Sequence, residues 1–516
     1  MANQRSSNRP NILLVLTDQH RYDVAGHAGD PHVHTPQLDA LADQSVRFDT
    51  ALCASPLCTP SRMCLLTGKE AHRCSGWNNH WVLFPEHVTW PGHFASHGYL
   101  TALIGKMHFG GRNQMNGFHY RPYGDLRHGL GHQPDPLSMY PGYAGAGSGG
   151  VTEVPESLIQ DVVVTRETLA FIREHHDAEP ARPWFVCASY NRPHPPFTAP
   201  GRYLRRYRDK IPPPRAPGDP ERLEPYARRR RERTQENEET TQRGREGYYA
   251  CVDFVDDCIG ELLNGLEADG LLENTIVIYT SDHGEMLGDQ GLWGKAVYFD
   301  PAVRVPLLIR GPGIREGQHA VTAPVSLMDL FPTTCALAGL PAPDGLDGMD
   351  FSGVLADPAG AQSPRMIVPS EYFAYGVLVD LGKNPLRLDA PHQAWRMVRD
   401  ERFAYVEVEQ GAALLFDLLN DPGQTENRVG DTEHAERCRT LRDLLYRDFS
   451  CEAARANLAR DRDRLPDFKS GLMPQSPNQY QLPDGRVFDA DGALYAARWL
   501  RMPDDTSGGI IPQQFG

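Results

Sequence analysis

The amino-acid sequence predicts an α/β fold in which a mostly parallel central sheet is covered by helices. Four short apolar runs support this prediction, and they occupy residues 11–16, 99–104, 184–188 and 275–280. Continuous apolar runs of this length are typical of strands buried on both faces, as in parallel sheets. Between the runs lie helical patterns, for example at residues 36–44, 159–175 and 245–269. Such alternation of strands and helices favours a parallel sheet with helices on its faces.

Each predicted strand is followed by polar or ionisable side chains. These clusters are Thr17-Asp18-Gln19-His20, Gly105-Lys106-Met107-His108, Asn191-Arg192-Pro193-His194 and Ser281-Asp282-His283-Gly284. In open α/β sheets, ligand sites form at the carboxyl ends of the strands. The sequence therefore predicts that the four clusters lie at the edge of the sheet where a ligand binds.

The character of the sequence changes after about residue 360. We predict short antiparallel strands at residues 394–399, 403–408 and 413–418, and a helix or a helix pair within residues 431–460. We therefore expect an α/β domain that carries the polar site over residues 1–365, a smaller α+β domain over 366–465 and an extended tail over 466–516. Such a tail is typical of a segment that contacts another subunit of a homo-oligomer. It is equally typical of a disordered chain end.

Composition and charge exclude several classes of protein. The 516 residues are 40% hydrophobic and 23% charged, which is typical of a globular chain. The net charge of −15 argues against a non-specific nucleic-acid binder but leaves small anionic ligands open. No apolar run reaches 18 residues, so no membrane segment is expected. Residues 1–10 lack the apolar core of a secretory signal, and we expect a cytoplasmic enzyme whose ten cysteines are reduced thiols.

The most specific motif is Cys58-Thr59-Pro60-Ser61-Arg62, followed by Leu66-Thr67-Gly68. A cysteine near a proline is by itself more typical of an inert buried thiol. The complete pattern resembles the signature of the type I sulfatases, in which this cysteine is oxidised to formylglycine (3-oxoalanine). The resemblance implies that Cys58 is the modified residue and that a formylglycine-generating enzyme is a partner in maturation.

Other residues match the family's functional positions, in the same order and spacing, over residues 9–430. The positions that bind a divalent metal in the family are matched by Asp18, Gln19, Cys58, Asp282 and His283. The other catalytic positions are matched by Arg62, Lys106, His108, His194 and Lys295. A substrate-contacting asparagine of some relatives is matched by Asn79, for which a simple loop role is an equal alternative. The C-terminal signature is matched by Asp421, Pro422 and Asn427.

The resemblance also implies a fold and an activity. The fold would be the alkaline-phosphatase-like α/β/α sandwich with a mostly parallel central sheet, followed by a smaller C-terminal α+β domain with a short antiparallel sheet. The activity would be that of a sulfuric ester hydrolase, which cleaves a small anionic sulfate monoester into an alcohol or phenol and inorganic sulfate.

Physical chemistry supports the implied roles. One hydroxyl of a formylglycine hydrate would attack sulfur and form a covalent sulfo-enzyme, and the other, once deprotonated, would collapse the hemiacetal and expel sulfate. Positive charge for the sulfate oxygens would come from Arg62, Lys106 and Lys295. A base for the collapse is offered by His108, and an acid for the leaving alcohol by His194, because imidazole can do either near neutral pH.

The metal-binding pairs differ from the commonest pattern of calcium-dependent sulfatases, which is Asp-Asp and Asp-Asn. Here they are Asp18-Gln19 and Asp282-His283. This resembles the subgroup of choline sulfatases and phosphonate monoester hydrolases. A neutral amide lowers the charge of the ligand set, and an imidazole shifts the preference from Ca²⁺ towards Mn²⁺ or Zn²⁺. We therefore expect one divalent ion, with calcium, manganese and zinc as alternatives.

Two other functions remain as alternatives. Hydrolysis of phosphonate monoesters or phosphodiesters is suggested by residues 191–197, Asn-Arg-Pro-His-Pro-Pro-Phe, which resemble a segment of those hydrolases. The Lys106-x-His108 pair is the sulfatase form, so we favour a sulfatase. A non-catalytic anion-binding protein, in which Cys58 stays a thiol, is disfavoured by the complete set of catalytic residues.

Overall fold

The computed structural model describes residues 9–79, 81–110, 113–122, 129–130, 133–134, 149–152, 155–216, 218–373, 394–468, 479–481 and 487–489. Its strands are β1 (Asn11–Asp18), β2 (Val46–Phe48), β3 (Ala51–Leu52), β4 (Leu100–Gly105), β5 (Gly129–Leu130), β6 (Gln133–Pro134), β7 (Gly150–Val151), β8 (Trp184–Pro193), β9 (Thr198–Ala199), β10 (Thr275–Ser281), β11 (Arg304–Val305), β12 (Leu307–Arg310), β13 (His319–Val321), β14 (Val325–Ser326), β15 (Val368–Phe373), β16 (Ala394–Arg399), β17 (Phe403–Val408), β18 (Ala413–Asp417), β19 (Gln479–Gln481) and β20 (Val487–Asp489).

Its α-helices are α1 (Pro36–Ala42), α2 (Cys58–Thr67), α3 (Trp90–Ser96), α4 (Gln160–Ala178), α5 (Gly201–Tyr207), α6 (Pro225–Thr234), α7 (Glu238–Ala268), α8 (Asp300–Val303), α9 (Leu330–Leu337), α10 (Ser352–Ala356), α11 (Ala435–Tyr446) and α12 (Cys451–Phe468). In the described part of the chain, no helix combines the length and the apolar character that crossing a membrane requires.

The central sheet has the strand order β13-β2-β12-β10-β1-β8-β4. The four predicted strands are β10, β1, β8 and β4, and they are neighbours at the middle and one side of this sheet. All three pairings among them are parallel. The strand β12 pairs antiparallel with β10 on the other side. The prediction of a mostly parallel sheet is confirmed.

The two faces of the sheet bury separate apolar clusters. Along β1, Ile12 and Leu14 point into one cluster, whereas Leu13 and Val15 point into the other. The first cluster includes side chains of α2 and α9, and the second includes side chains of α4 and α7. Since successive residues of a strand point to opposite faces, burial on both faces accounts for the continuous apolar run in the sequence. The result is an α/β/α sandwich.

The predicted helices correspond to α1, α4 and α7, but α7 begins at Glu238 and not at residue 245. Asn237 explains the earlier start, because its side-chain oxygen accepts a hydrogen bond of 2.8 Å from the backbone N–H of Thr240. Glu238 and Glu239 follow in the first turn, where negative charge is favourable. The apolar pattern that guided the prediction covers only the part of the helix that packs on the sheet.

The C-terminal strands form an antiparallel sheet in the order β15-β16-β17-β18. Three of them lie where the sequence predicts strands, and the helix pair α11–α12 occupies the predicted helical segment and extends to Phe468. One face of this sheet, with Trp395 and Met397, joins the cluster that contains Ile12. The other face packs on Leu441 of α11. The domain boundaries at residues 365 and 465 stay a prediction, and most of the predicted tail over 466–516 lies outside the described residues.

A buried ionic cluster joins the C-terminal sheet to the segment that follows α2. Glu371 of β15 accepts a hydrogen bond from the backbone N–H of His72, at 2.8 Å, and faces the ring Nδ1 of His72 at 2.9 Å. Arg396 of β16 contacts both Glu371 and Glu70. Burial raises the pKa of Glu371, but His72 and Arg396 outweigh it and lower that pKa to about 2. Burial lowers the pKa of His72, and Glu371 more than compensates and raises it.

The stability that His72 contributes should depend on pH. Because its pKa is raised in the folded protein, the contribution is complete below the ordinary histidine pKa of about 6.5 and is lost as the pH rises through the folded value. Glu371 remains ionised in this range, since its own contribution is lost only as the pH falls from its usual 4.5 towards about 2. We expect His72→Gln to lower the free energy of unfolding by about 1.5–3 kcal/mol at pH 6 and by less at pH 9.

Urea unfolding at the two pH values measures this difference. The matched control is His319→Gln, because the ring of His319 contacts the backbone carbonyl of Glu316 and not a carboxylate. An equal loss of stability at both pH values in His72→Gln would contradict the charged pair.

Candidate active site

The carboxyl ends of the four central strands meet at one edge of the sheet. Asp18 is the last residue of β1, and Lys106 follows β4 directly. His194 follows β8, and Asp282 follows β10. All four side chains are buried. The four polar clusters singled out in the sequence thus lie at one edge because their strands are parallel neighbours.

The helix α2 brings Cys58 to this edge. Cys58 is the first residue of the helix and is 0% exposed. Its Sγ lies 3.2 Å from Nε2 of His283 and 3.8 Å from Oδ1 of Asp18. The next residue, Thr59, donates its backbone N–H to the side-chain oxygen of Asn79 over 3.0 Å. Asn79 therefore supports the first turn of the helix that carries the cysteine.

Arg62 lies one turn further along α2, on the same face as Cys58. Its guanidinium donates to Oδ2 of Asp282 at 2.7 Å and to Oδ2 of Asp18 at 3.1 Å. It also donates to the hydroxyl of Ser189 at 3.0 Å and to the backbone carbonyl of Lys106. The side chain of Arg62 is fully buried behind the two carboxylates. One cation thus joins the ends of β1 and β10 to residues of β8 and of the segment after β4.

Lys106 forms a second ion pair with Asp18, with 2.7 Å between Nζ and Oδ2. Burial raises the pKa of Asp18, but the positive charges of Lys106 and Arg62 outweigh it and hold that pKa well below the ordinary range. Asp18 is therefore an anion in the folded protein.

The donor set at this edge fits a divalent metal ion. One ligand atom from each of Asp18, Cys58, Asp282 and His283 lies within 4.8 Å of all the others, and the four residues are buried. Nδ1 of His283 lies 3.0 Å from the carbonyl of Gly284, so this nitrogen carries the proton and Nε2 offers its lone pair to the cluster. Two carboxylates and an imidazole nitrogen suit Mn²⁺ or Zn²⁺, and the carboxylates also suit Ca²⁺.

Gln19 lies beside this donor set in a left-handed backbone conformation, with φ of 72°. Its backbone N–H donates to Oδ1 of Asp282 at 3.1 Å, and its carbonyl accepts from the hydroxyl of Tyr248 at 2.7 Å. Its side-chain oxygen accepts a hydrogen bond from Lys295, and its side-chain nitrogen donates to Glu285. No motif in the sequence points to Glu285, and its place three residues after Asp282 is the only signal that could have found it.

His108 and His194 lie at the same edge. The backbone carbonyl of His108 accepts a hydrogen bond of 2.8 Å from the hydroxyl of Thr59, so the first turn of α2 also positions this residue. Nδ1 of His194 lies 2.8 Å from the carbonyl of Pro195. Burial, Lys106 and Lys295 together lower the pKa of His194 well below its ordinary value. His194 is therefore neutral in the structure.

The thiol of Cys58 lies in a locally positive environment. Burial and the Asp18 carboxylate raise the pKa of this thiol. The ammonium groups of Lys295 and Lys106, together with the imidazole of His283, outweigh both and lower it below the ordinary value. A site that favours a thiolate also favours the anionic part of a substrate.

Sequence models of two families match the chain. Residues 10–340 match the family described as Sulfatase. The chain belongs to the sulfatase family. Residues 288–449 of this sulfatase match the family described as N-sulphoglucosamine sulphohydrolase, C-terminal.

Named relatives resemble this sulfatase along most of their length. The ulvan-active sulfatase of Formosa agariphila is 32% identical over 444 residues, which cover 83% of this chain and 79% of that protein. The choline-sulfatase of Rhizobium meliloti is 29% identical over 472 residues, which cover 87% of this chain and 88% of that protein. The solved structure of the phosphonate monoester hydrolase of Agrobacterium radiobacter superposes with a TM-score of 0.72 at 25% identity, covering 87% of this chain and 96% of that one.

These similarities confirm the predicted family and the alkaline-phosphatase-like fold. They also confirm that the protein is a sulfuric ester hydrolase.

The C-terminal signature of this sulfatase shapes a loop next to β18. The carboxylate of Asp421 accepts from the backbone N–H groups of Thr425 and Glu426, and the side-chain oxygen of Asn427 accepts from Leu415 at 3.0 Å. Gln290, which lies between His283 and Lys295 in the sequence, donates its side-chain N–H to the carbonyl of Gly423 at 2.7 Å. The signature therefore supports the segment that carries Lys295.

Removal of Arg62 should destabilise the fold strongly. Arg62→Ala takes one cation away from two buried carboxylates, and breaking a buried ion pair from one side costs about 3–5 kcal/mol of the free energy of unfolding. We expect a loss of this size in urea unfolding with a metal chelator present.

The matched control is Arg173→Ala. Arg173 is half exposed and pairs with Asp269 at 2.6 Å, so its removal should cost at most about 1 kcal/mol. Equal losses in the two variants would contradict the structural role of Arg62.

Proposed function

We propose that this sulfatase hydrolyses a sulfate monoester to an alcohol or phenol and inorganic sulfate, with Cys58 converted to formylglycine by a formylglycine-generating enzyme. The hydrate of that residue would be the nucleophile, and a covalent sulfo-enzyme would be the intermediate. The observation that carries the proposal is the position of the Cys58 side chain within the cluster of ligand atoms from Asp18, Asp282 and His283.

The ligands that would hold a divalent ion are Asp18, Gln19, Asp282 and His283, together with the modified residue 58. When bound, the ion would lower the pKa of an oxygen nucleophile and offset charge on a sulfate oxygen. The mixture of carboxylate, amide and imidazole ligands favours Mn²⁺ or Zn²⁺ over Ca²⁺.

Two lysines are placed to receive the sulfate group. Nζ of Lys106 is held by Asp18, and that of Lys295 by Gln19, so both ammonium groups are oriented before substrate arrives. Fixed positive charge stabilises the negative charge that accumulates on the non-bridging oxygens in the transition state. We expect Arg62 to act through Asp18 and Asp282, since its guanidinium is bound to both.

The two histidines would move the protons of the reaction. His194 would protonate the leaving oxygen, and His108 would accept the proton of the second hydroxyl when sulfate is expelled. The neutral state of His194 in the structure is compatible with this role, because a bound sulfate ester adds negative charge beside it and raises its pKa.

A second candidate function is the hydrolysis of phosphonate monoesters or phosphodiesters at the same site. It is favoured by the similarity to the phosphonate monoester hydrolase of Agrobacterium radiobacter and by the segment that contains His194. The Lys106-x-His108 pair weighs towards the sulfatase, because it resembles the sulfatase form of this motif. We therefore propose the sulfatase reaction as the main activity.

The state of residue 58 tests the nucleophile. We expect the tryptic peptide of residues 48–62 from active protein to carry an aldehyde in place of the Cys58 thiol, as measured by mass spectrometry. We also expect Cys58→Ala to lower the turnover of an aryl sulfate by a factor on the order of 10³ or more, because it removes the nucleophile.

The control for this variant is Cys335→Ala, which removes another fully buried thiol from the apolar core and should keep the turnover. Full activity of Cys58→Ala would exclude the proposed mechanism.

A panel of three substrates tests the reaction class. We expect an aryl sulfate or choline sulfate to be turned over with a higher kcat/KM than a phenylphosphonate monoester, because the Lys106-x-His108 pair resembles the sulfatase form. A kcat/KM for the phosphonate far above both sulfates would replace the proposal with the second candidate.

A further inference from the structure

A closed ring of hydrogen bonds surrounds the side chain of Gln19. Its Nε2 donates to Oε2 of Glu285, and its Oε1 accepts from Nζ of Lys295. The other oxygen of Glu285 accepts from the backbone N–H of Gly294, the residue directly before Lys295. The ring therefore runs from Gln19 to Glu285, along the loop to Lys295 and back to Gln19.

The ring permits one orientation of the Gln19 amide. An ionised carboxylate only accepts hydrogen bonds, and an ammonium group only donates them. The amide nitrogen must therefore face Glu285, and the amide oxygen must face Lys295. Only the oxygen of an amide is a useful ligand for a hard cation, so this orientation makes Gln19 a competent ligand.

Glu285 also closes the loop that delivers Lys295. The carboxylate accepts from the backbone N–H of Leu287 at 3.0 Å in addition to that of Gly294. Backbone hydrogen bonds of 2.8 Å, from Met286 to Gly294 and from Gly288 to Leu292, pair the two sides of the same loop. Glu285 is 0% exposed, so water does not compete for its oxygens.

We propose that Glu285 is a positioning residue of the active site, which orients the Gln19 amide towards the metal and holds Lys295 beside it. The proposal rests on the proposed function for the presence of a metal ligand at Gln19. It adds a further carboxylate that acts without touching the substrate. An amide at position 285 could donate to the oxygen of Gln19 and turn its nitrogen towards Lys295, which would remove a ligand and place two donors face to face.

Paired variants at positions 19 and 285 test this role by the binding of Mn²⁺ alone. Metal-stripped protein is titrated with MnCl₂, and free Mn²⁺ is followed by electron paramagnetic resonance. We expect Glu285→Gln to weaken Mn²⁺ binding by about 10–100-fold, as the loss of a group that orients a metal ligand does. Gln19→Glu should also weaken it, because two carboxylates would face each other.

The double variant, which combines Gln19→Glu with Glu285→Gln, should restore binding to within a few-fold of the original protein. In it, the carboxylate introduced at position 19 accepts from the amide at position 285 with one oxygen and keeps the other for the metal and Lys295. Restored Mn²⁺ affinity would show that positions 19 and 285 are energetically coupled. A merely structural role of Glu285 would not produce this coupling. A double variant that binds no better than Glu285→Gln would overturn the proposal, as would wild-type affinity in Glu285→Gln.

The matched control is Asp329→Asn. Asp329 is another fully buried carboxylate, which accepts from two backbone N–H groups and pairs with Arg365. It should lose stability without losing Mn²⁺ affinity. If Glu285→Gln fails to fold, the double variant carries the test: folding and Mn²⁺ binding by the double variant support the ring, and its failure to fold overturns it.

The outcome is independent of the reaction. If the variants change Mn²⁺ affinity as expected but the wild-type protein cleaves no sulfate ester, the ring stands and the proposed function fails. If sulfate esters are cleaved and both Mn²⁺ affinity and kcat survive in Glu285→Gln, the function stands and the ring fails.

Discussion

The ion pairs between Arg62 and the carboxylates of Asp18 and Asp282 are the constraint on which the active site depends. The two carboxylates are buried at the ends of neighbouring strands, where like charges would otherwise repel each other. Arg62 offsets both charges and belongs to the same helix as Cys58. The ion pairs that join the two carboxylates therefore also fix the helix on the sheet. The proposed nucleophile and the proposed metal ligands are therefore held by the same ion pairs.

The charges close to the candidate site decide whether an anion can bind there, and the net charge of −15 does not. Lys106 contacts Asp18, and Lys295 contacts the neighbouring residue Gln19. These contacts orient the ammonium groups before an anion enters, so little reorganisation is needed when charge develops on the substrate. Removing a charged side chain from water costs free energy, and the ion pairs of the site offset this cost. The surplus of acidic residues elsewhere bears on solubility and not on what the site binds.

Much of the fold and of the candidate site could be predicted from the sequence, because short local patterns indicate the strands and the residues that follow them. The four parallel strands are recognisable since burial on both faces makes each of them a continuous apolar run. Asp18, Lys106, His194 and Asp282 follow those strands, whereas Cys58 and Arg62 are recognisable by their own motif on α2. Glu285 was missed because its partner Gln19 is 266 residues away and no pattern near Glu285 announces a contact. The first turns of α7 were missed because they do not pack on the sheet. The alternation of β16 predicts a strand with two faces, but it does not say which core Trp395 meets.

The central sheet and the C-terminal sheet share one hydrophobic core, and we therefore expect them to fold as one unit. Trp395 and Met397 of the C-terminal sheet lie in the same apolar cluster as Ile12 of the central sheet. A division near residue 365 therefore separates two sheets but cuts through one hydrophobic interior. A fragment that ended there would expose the apolar surface that β16 covers, and exposed surface of this kind promotes aggregation. The smaller sheet is best regarded as an outer layer of the catalytic body and not as a detachable appendage.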